Sequence, residues 1–191
     1  MVHHRLVGRC LLALAMVAAA AVPASATTLM RASLGDLVDG NATVVSARVL
    51  GFDSYWNAEG SFILTDVRVV ADEFLKGDVG QREFRITVLG GTVGDVTTLI
   101  PGGPDMEVGK SYVLFLNREE LPGLRDALTI KELSQGIFDV VDAASGKRAV
   151  SQATHQALVP DRFGNTEAAG GAAGFVLNDL SREVRRLAAA R

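Results

Sequence analysis

The sequence predicts a mainly β protein. About five or six antiparallel strands close into a barrel or stack as a sandwich, with one short helix before them and one after. Three observations carry this. The stretch Phe62–Leu89 (FILTDVRVVADEFLKGDVGQREFRITVL) alternates apolar and polar residues on both sides of a Lys-Gly turn, the period of strands with one buried face. Further short apolar runs are cut by Gly- and Pro-rich breaks, as in all-β domains. The helical patterns fall only at the two ends of this region.

The chain begins with a leader pattern. Arg5 and Arg9 precede the apolar run Leu11–Val22, and Ala24-Ser25-Ala26 follows Pro23. Charge, apolar run and A-x-A site together read as a secretion signal over residues 1–26, cleaved to leave Thr27 first. The apolar run has 12 residues, short of the roughly 20 that span a bilayer. The protein is therefore expected to be exported, periplasmic or extracellular, with no membrane span after cleavage. The leader takes the only cysteine, Cys10, and two of the three histidines. No disulfide framework is open to the remaining 165 of 191 residues, so a hydrophobic core must hold the fold. The leader also takes two arginines and no acid, moving the net charge from −3 to −5. Without a basic patch, nucleic acid is not an expected partner.

The elements follow in order. Ser33-Leu34-Gly35-Asp36 has the S-x-x-D form of a capping box and opens a short helix, Leu34–Asp39, with Gly40 after it. Thr43–Leu50 (TVVSARVL) alternates as a strand. Gly51–Gly60 reads as a loop holding Phe52, Tyr55 and Trp56. Aromatics in a polar loop supply large contact area and mark a binding edge; the plainer reading is that they cap one end of the sheet. The strand from Phe62 is long enough to require a bend or bulge near Ala71–Phe74. Gly77 supplies the reversal, and Phe84, Ile86 and Val88 form the next strand. Gly91–Asp95 is glycine-dense but lacks both the following helix and the lysine of a phosphate cradle, so it reads as a turn. Val96–Ile100 is a short strand, stopped by Pro101–Pro104. Ser111–Asn117 (SYVLFLN) is a near-continuous apolar run and reads as the most buried strand. Arg118–Arg125 reads as a polar loop, Leu128–Leu133 and Gly136–Val141 as a strand pair, and Arg148–Ser151 as a last strand. The domain is placed at 27–152, an Ala/Gly-rich flexible linker at 153–175, and an amphipathic helix at 176–191. In that helix Asn178 is the cap and Leu180, Val184 and Leu187 form one stripe.

Chemistry is sparse. His155 is the one histidine past the leader and lies in the linker, a poor place to hold a base against a nucleophile. The sequence after the leader has no His/Cys cluster for zinc, and Asp36, Asp39 and Asn41 are explained by capping and turns rather than as calcium ligands. No catalytic residue, metal or cofactor is assigned. Asp66, Asp72 and Glu73 read as solvated.

The order of helix, TVVSARVLG, aromatic segment and long strand ending FLKG resembles the start of netrin-like and tissue-inhibitor-of-metalloproteinase domains. Those are OB-type barrels with packed helices, so the resemblance implies an antiparallel OB-like (netrin-like) barrel. The inhibitors of that family chelate a protease zinc through an N-terminal cysteine; here the α-amine and hydroxyl of Thr27 stand in that place. A more specific resemblance, through Gly90–Gly94 (GGTVG) and Gly109–Leu116 (GKSYVLFL), is to small secreted bacterial proteins with no assigned activity. The expected function is a secreted, non-enzymatic binding module with a protein partner, specifically an inhibitor or partner of an extracytoplasmic protease. Phe52, Tyr55, Trp56 and Thr27 are its candidate binding residues. The alternatives are an envelope-associated structural protein using the C-terminal helix, and a hydrolase using paired carboxylates.

Overall fold

The computed structural model describes residues 29–190; the leader 1–26 lies outside them. The chain runs β1 (Leu29–Met30), α1 (Leu34–Gly40), β2 (Thr43–Trp56), β3 (Ile63–Lys76), β4 (Glu83–Leu89), β5 (Gly91–Val93) and β6 (Val96–Thr98). It continues β7 (Ser111–Leu121), β8 (Leu124–Ile130), β9 (Ile137–Ala143), β10 (Gly146–Ser151), β11 (Leu158–Val159), β12 (Phe175–Val176) and α2 (Leu177–Ala189). Single 3-10 turns occupy Leu133–Gly136 and Gln152–His155.

The fold is mainly β, as expected, but the barrel does not close. One sheet has the order β12-β10-β9-β7-β2-β3-β4, with β8 also paired to β7. Its neighbours are antiparallel, whereas β1 and β11 form a separate parallel pair and β5 and β6 a small hairpin. The reason lies in β7. Tyr112–Leu114 pair with β9, and Leu116–Leu121 pair with β8, on the same side of the strand. Two strands share one edge, and no ladder joins β4 to β8 among the described residues. The expected pairing of Leu128–Leu133 with Gly136–Val141 is corrected with it: β8 and β9 each pair with β7 rather than with each other.

Two cores lie on opposite faces of this curled sheet. Val45, Val67, Val69, Ile86, Leu114 and Leu116 fill the inner one. On the outer face Val44, Val113, Phe115 and Phe138 pack beneath both helices, meeting Leu37, Val38, Leu180 and Val184. Strand β7 serves both cores, which explains its unbroken apolar run. The stripe of α2 is thus covered by the protein's own sheet, and Arg185 pairs with Glu73 of β3. This helix starts at Leu177 after Val176, without a side-chain cap, so the expected Asn178 cap is not used.

Local signals were otherwise followed. Ser33 and Asp36 form the capping box: Ser33 N donates to Asp36 Oδ2 at 2.9 Å, and Asp36 N to Ser33 Oγ at 3.2 Å. The Ser33 hydroxyl and amide hold the Asp36 carboxyl below its ordinary pKa. Ser33→Ala is expected to cost about 1 kcal/mol of stability, read as a lower urea midpoint at unchanged slope. The opposite end of α1 is held by Lys76, whose ammonium donates to Val38 O and, at 2.7 Å, to Asn41 O. The expected bend in the long strand is present as register shifts opposite Ala71–Lys76, and β2 carries another at Leu50.

Residues 153–175, expected as a flexible linker, contain β11, the Gln152–His155 turn and the buried Ala153, Leu158, Ala168 and Ala169. Asp161 ties this segment to the N-terminus by a 2.6 Å ion pair with Arg31. Burial pushes the Asp161 carboxyl up, but hydrogen bonds from Asn165, Phe163 and Arg31 prevail and bring it down to about 2. A carboxylate depressed in the folded state stabilises fully above its unfolded pKa, roughly 3.9, and loses that contribution as pH falls through the folded value. Amide protection in 158–167, exchange measured relative to the unfolded-chain rate at each pH, is expected to fall between about pH 4 and pH 2. Asp161→Asn should exchange faster at neutral pH and lose that dependence.

Candidate functional site

The aromatic trio does not lie in a loop. Strand β2 runs through Trp56, paired to β3 to the end: Phe52 opposite Val67, Ser54 opposite Thr65, Tyr55 opposite Leu64, and Trp56 opposite Ile63. Successive residues of a strand face opposite ways. Tyr55 is therefore separated from Phe52 and Trp56, which share the other face about 13 Å apart along the strand. The structure does not bring the three together.

Tyr55 belongs to the polar face. Its hydroxyl donates to Asp66 Oδ1 at 3.1 Å, Thr87 donates to the same oxygen at 2.8 Å, and Arg85 lies 3.9 Å from Oδ2. Burial raises the Tyr55 pKa, and the Asp66 charge adds to it. Asp66, expected as merely solvated, is the hub of this network. Phe52 and Trp56 remain 44% and 40% exposed. Thr27 lies outside the described residues.

The arm bearing Phe52 and Trp56 is stiffened at both ends. Thr65 donates its hydroxyl proton to Gly90 O at 2.7 Å, so Ser54, 2.8 Å away, donates to Thr65. At the tip, the buried Asn57 organises the turn. Its Oδ1 accepts from the amides of Ser61 and Phe62 at 2.9 and 3.0 Å, and its Nδ2 donates to Glu59 at 2.8 Å. A bond from Nδ2 to Pro122 O, at 3.4 Å, ties this tip to the β7–β8 turn.

A second feature had no sequence signal. A cleft of about 650 Å³ opens between the 101–110 segment and strands β9 and β10. Asp105, Glu107, Lys110, Tyr112, Ser134, Asp139, Asp142, Lys147 and Gln152 line it, with Val140, Val141 and Val150. Its walls are pinned. Gln152 donates to Asp139 Oδ1 at 2.8 Å and to Asp105 O, and accepts from Asp105 N at 2.9 Å. Glu107 N donates to the Tyr112 hydroxyl at 2.8 Å. Between these acids Met106 packs against the inner core. Gly109 N and Lys110 O bond to Val49 of β2. Burial raises the Tyr112 pKa, the Glu107 amide opposes this, and the charges of Asp139, Glu107 and Asp105 add to the rise. All three carboxylates thus act on one phenol. Asp142 is paired with Lys147 at 3.1 Å.

The cleft offers charge and hydrogen bonds, and the buried Ser134 Oγ has no hydrogen-bond partner among the described residues. Among the described residues no group of three His, Cys, Asp or Glu is gathered to hold a metal, and no helix is long and apolar enough to cross a membrane. No protein-family model matches the chain, and no curated protein matches it.

Proposed function

We propose that the chain is an exported, non-enzymatic binding module that engages a protein partner through Phe52 and Trp56. On this reading the curled sheet is an OB-like barrel left open at the β4–β8 seam. One observation carries the reading: two large aromatics are left exposed on a ribbon whose turn and flank are fixed by Asn57, Ser54 and Thr65. Rigid aromatic anchors lose little conformational entropy on docking and supply most of the energy of typical interfaces. The resemblance to netrin-like inhibitors makes an extracytoplasmic protease the partner class to look for.

The test is affinity capture from secreted and periplasmic fractions with residues 27–191 as bait. A single enriched protein is expected, a protease on the specific form of the proposal. Phe52→Ala with Trp56→Ala is expected to weaken its capture by about tenfold or more, while Tyr55→Phe, on the other face, leaves it intact. Failure to enrich any specific protein, or equal capture by the double variant, would overturn the assignment.

A further inference from the structure

We infer that the outer edge of β2 pairs with a second copy of this chain, strand against strand about a two-fold axis at Ser54, setting Phe52 of each copy against Trp56 of the other.

Strand β7 accompanies β2 only from Thr43 to Arg48, and Gly109 and Lys110 then bond to Val49. Beyond the bulge at Leu50, β2 is laddered to β3 on one side and, among the described residues, to no strand on the other. The ladder fixes which residues face that open side. Ile63 O accepts from Gly90 N, so Ile63 turns its backbone groups toward β4, and its partner Trp56 turns its own away from β3. The next pair is the bonded kind, with Asn57 N donating to Phe62 O at 2.8 Å. By alternation Ser54 and Phe52 face outward with Trp56. Their N–H and C=O groups recur at every second residue, about 6.8 Å apart. Another extended backbone is the partner that matches such a row.

The side chains select a second copy as the source of that backbone. Phe52-Asp53-Ser54-Tyr55-Trp56 carries an aromatic at each end about its centre. Laid antiparallel on itself with Ser54 opposite Ser54, every outward residue meets an outward residue, and Phe52 meets Trp56 of the second copy. These are bonded pairs, in which each residue both donates and accepts. Phe52 and Trp56 share one face and are 44% and 40% exposed, and cross-strand aromatic pairs stabilise a sheet. On the other face Asp53 meets Tyr55 of the second copy, so no like charges are opposed. A slip of two residues either way sets Trp56 against the bulged Leu50, or Phe52 against Ala58 in the turn, and forfeits the aromatic pairs. The inference uses the surface proposed above but requires no foreign partner, which would have to displace the second copy. Self-pairing is read on purified protein and capture from cell fractions, so either reading can fail without the other.

The test is sedimentation equilibrium of purified residues 27–191 from about 1 μM to about 1 mM, a span that covers weak and moderate association. A reversible monomer–dimer equilibrium is expected. Ser54→Pro removes the outward N–H, which the β3 ladder does not use, and is expected to weaken the dimer by about tenfold or more. Ser54→Ala loses only the hydroxyl and should dimerise as the parent does. Should the proline variant not fold, exchanged charges give a second reading. A protein with Phe52→Lys and Trp56→Lys, and another with Phe52→Glu and Trp56→Glu, are each expected to be monomeric alone and to form a one-to-one dimer when mixed. A parent that stays monomeric throughout, equal dimerisation by the proline and alanine variants, or failure of the Lys and Glu proteins to associate on mixing would each overturn the proposal.

Discussion

Phe115→Ala is expected to lower the unfolding free energy by about 3–5 kcal/mol, the largest effect of any single change proposed for this protein. Phe115 is fully buried in the middle of β7, on the side facing the helices. Its ring lies 5.6 Å from that of Phe138 on β9, which in turn lies 6.2 Å from Phe175 of β12. Truncation removes the first member of this row and leaves a cavity lined by strands whose positions are set by their ladders. The site can collapse little, which places the cost in the upper part of the range for such changes. Chemical denaturation followed by the fluorescence of Trp56 measures it. A loss under about 1 kcal/mol would show that α1 and α2 settle into the space, and that the outer core is softer than its burial indicates.

Gly77→Ala is expected to cost about 2–4 kcal/mol, the sum of a left-handed backbone penalty and an overlap. Gly77 has φ of +64°, and an added Cβ would stand 2.4 Å from the carbonyl oxygen of Ala42. That oxygen belongs to the backbone entering β2, so it cannot rotate aside as a side chain would. The neighbouring Lys76 ammonium is bonded to the end of α1 in the same corner, so the strain should reach both elements. Gly80→Ala is the matched control: its φ is +82° but no atom lies within 4 Å of the added methyl. The difference between the two variants isolates the overlap from the backbone preference. Equal losses would show that the corner yields.

What could be read from the sequence depended on where each strand meets a core. Val45, Ala47 and Val49 alternate because they line the inner core, and the reading of Thr43–Leu50 as a strand was sound as far as it went. Past Leu50 the same strand continues for six residues, but its side chains no longer meet a closed interior, and a bulge has already reversed their parity. The apolar alternation vanishes while the hydrogen-bonded ladder persists, so Gly51–Trp56 looked like a loop. Arg118–Leu121 of β7 was hidden in the same way, and only Pro122-Gly123 of the expected loop is a turn. The segment 153–175 was misread for a different reason. Its packing uses alanines and backbone pairing with β1, which leave no periodic trace. The cleft was illegible because its acids come from two distant parts of the chain, 105–107 and 139–142. Gln152, which gathers Asp105 and Asp139, makes bonds across 47 and 13 positions, and single-sequence patterns are blind to such pairs.

The pairing of β1 with β11 fixes an order of events during synthesis. Arg31 leaves the ribosome 130 positions ahead of Asp161, its partner. At about 5–20 residues per second, some ten seconds pass before that contact can form. Through this interval the hairpin of β2 and β3 can zip locally, whereas residues 29–31 have no native strand to join. Helix α2, made later still, then covers the outer face of the sheet. A nascent chain stalled before Leu158 would therefore present a hairpin already formed and residues 29–31 still unanchored, so that this early-made segment is among the last of the described parts to settle.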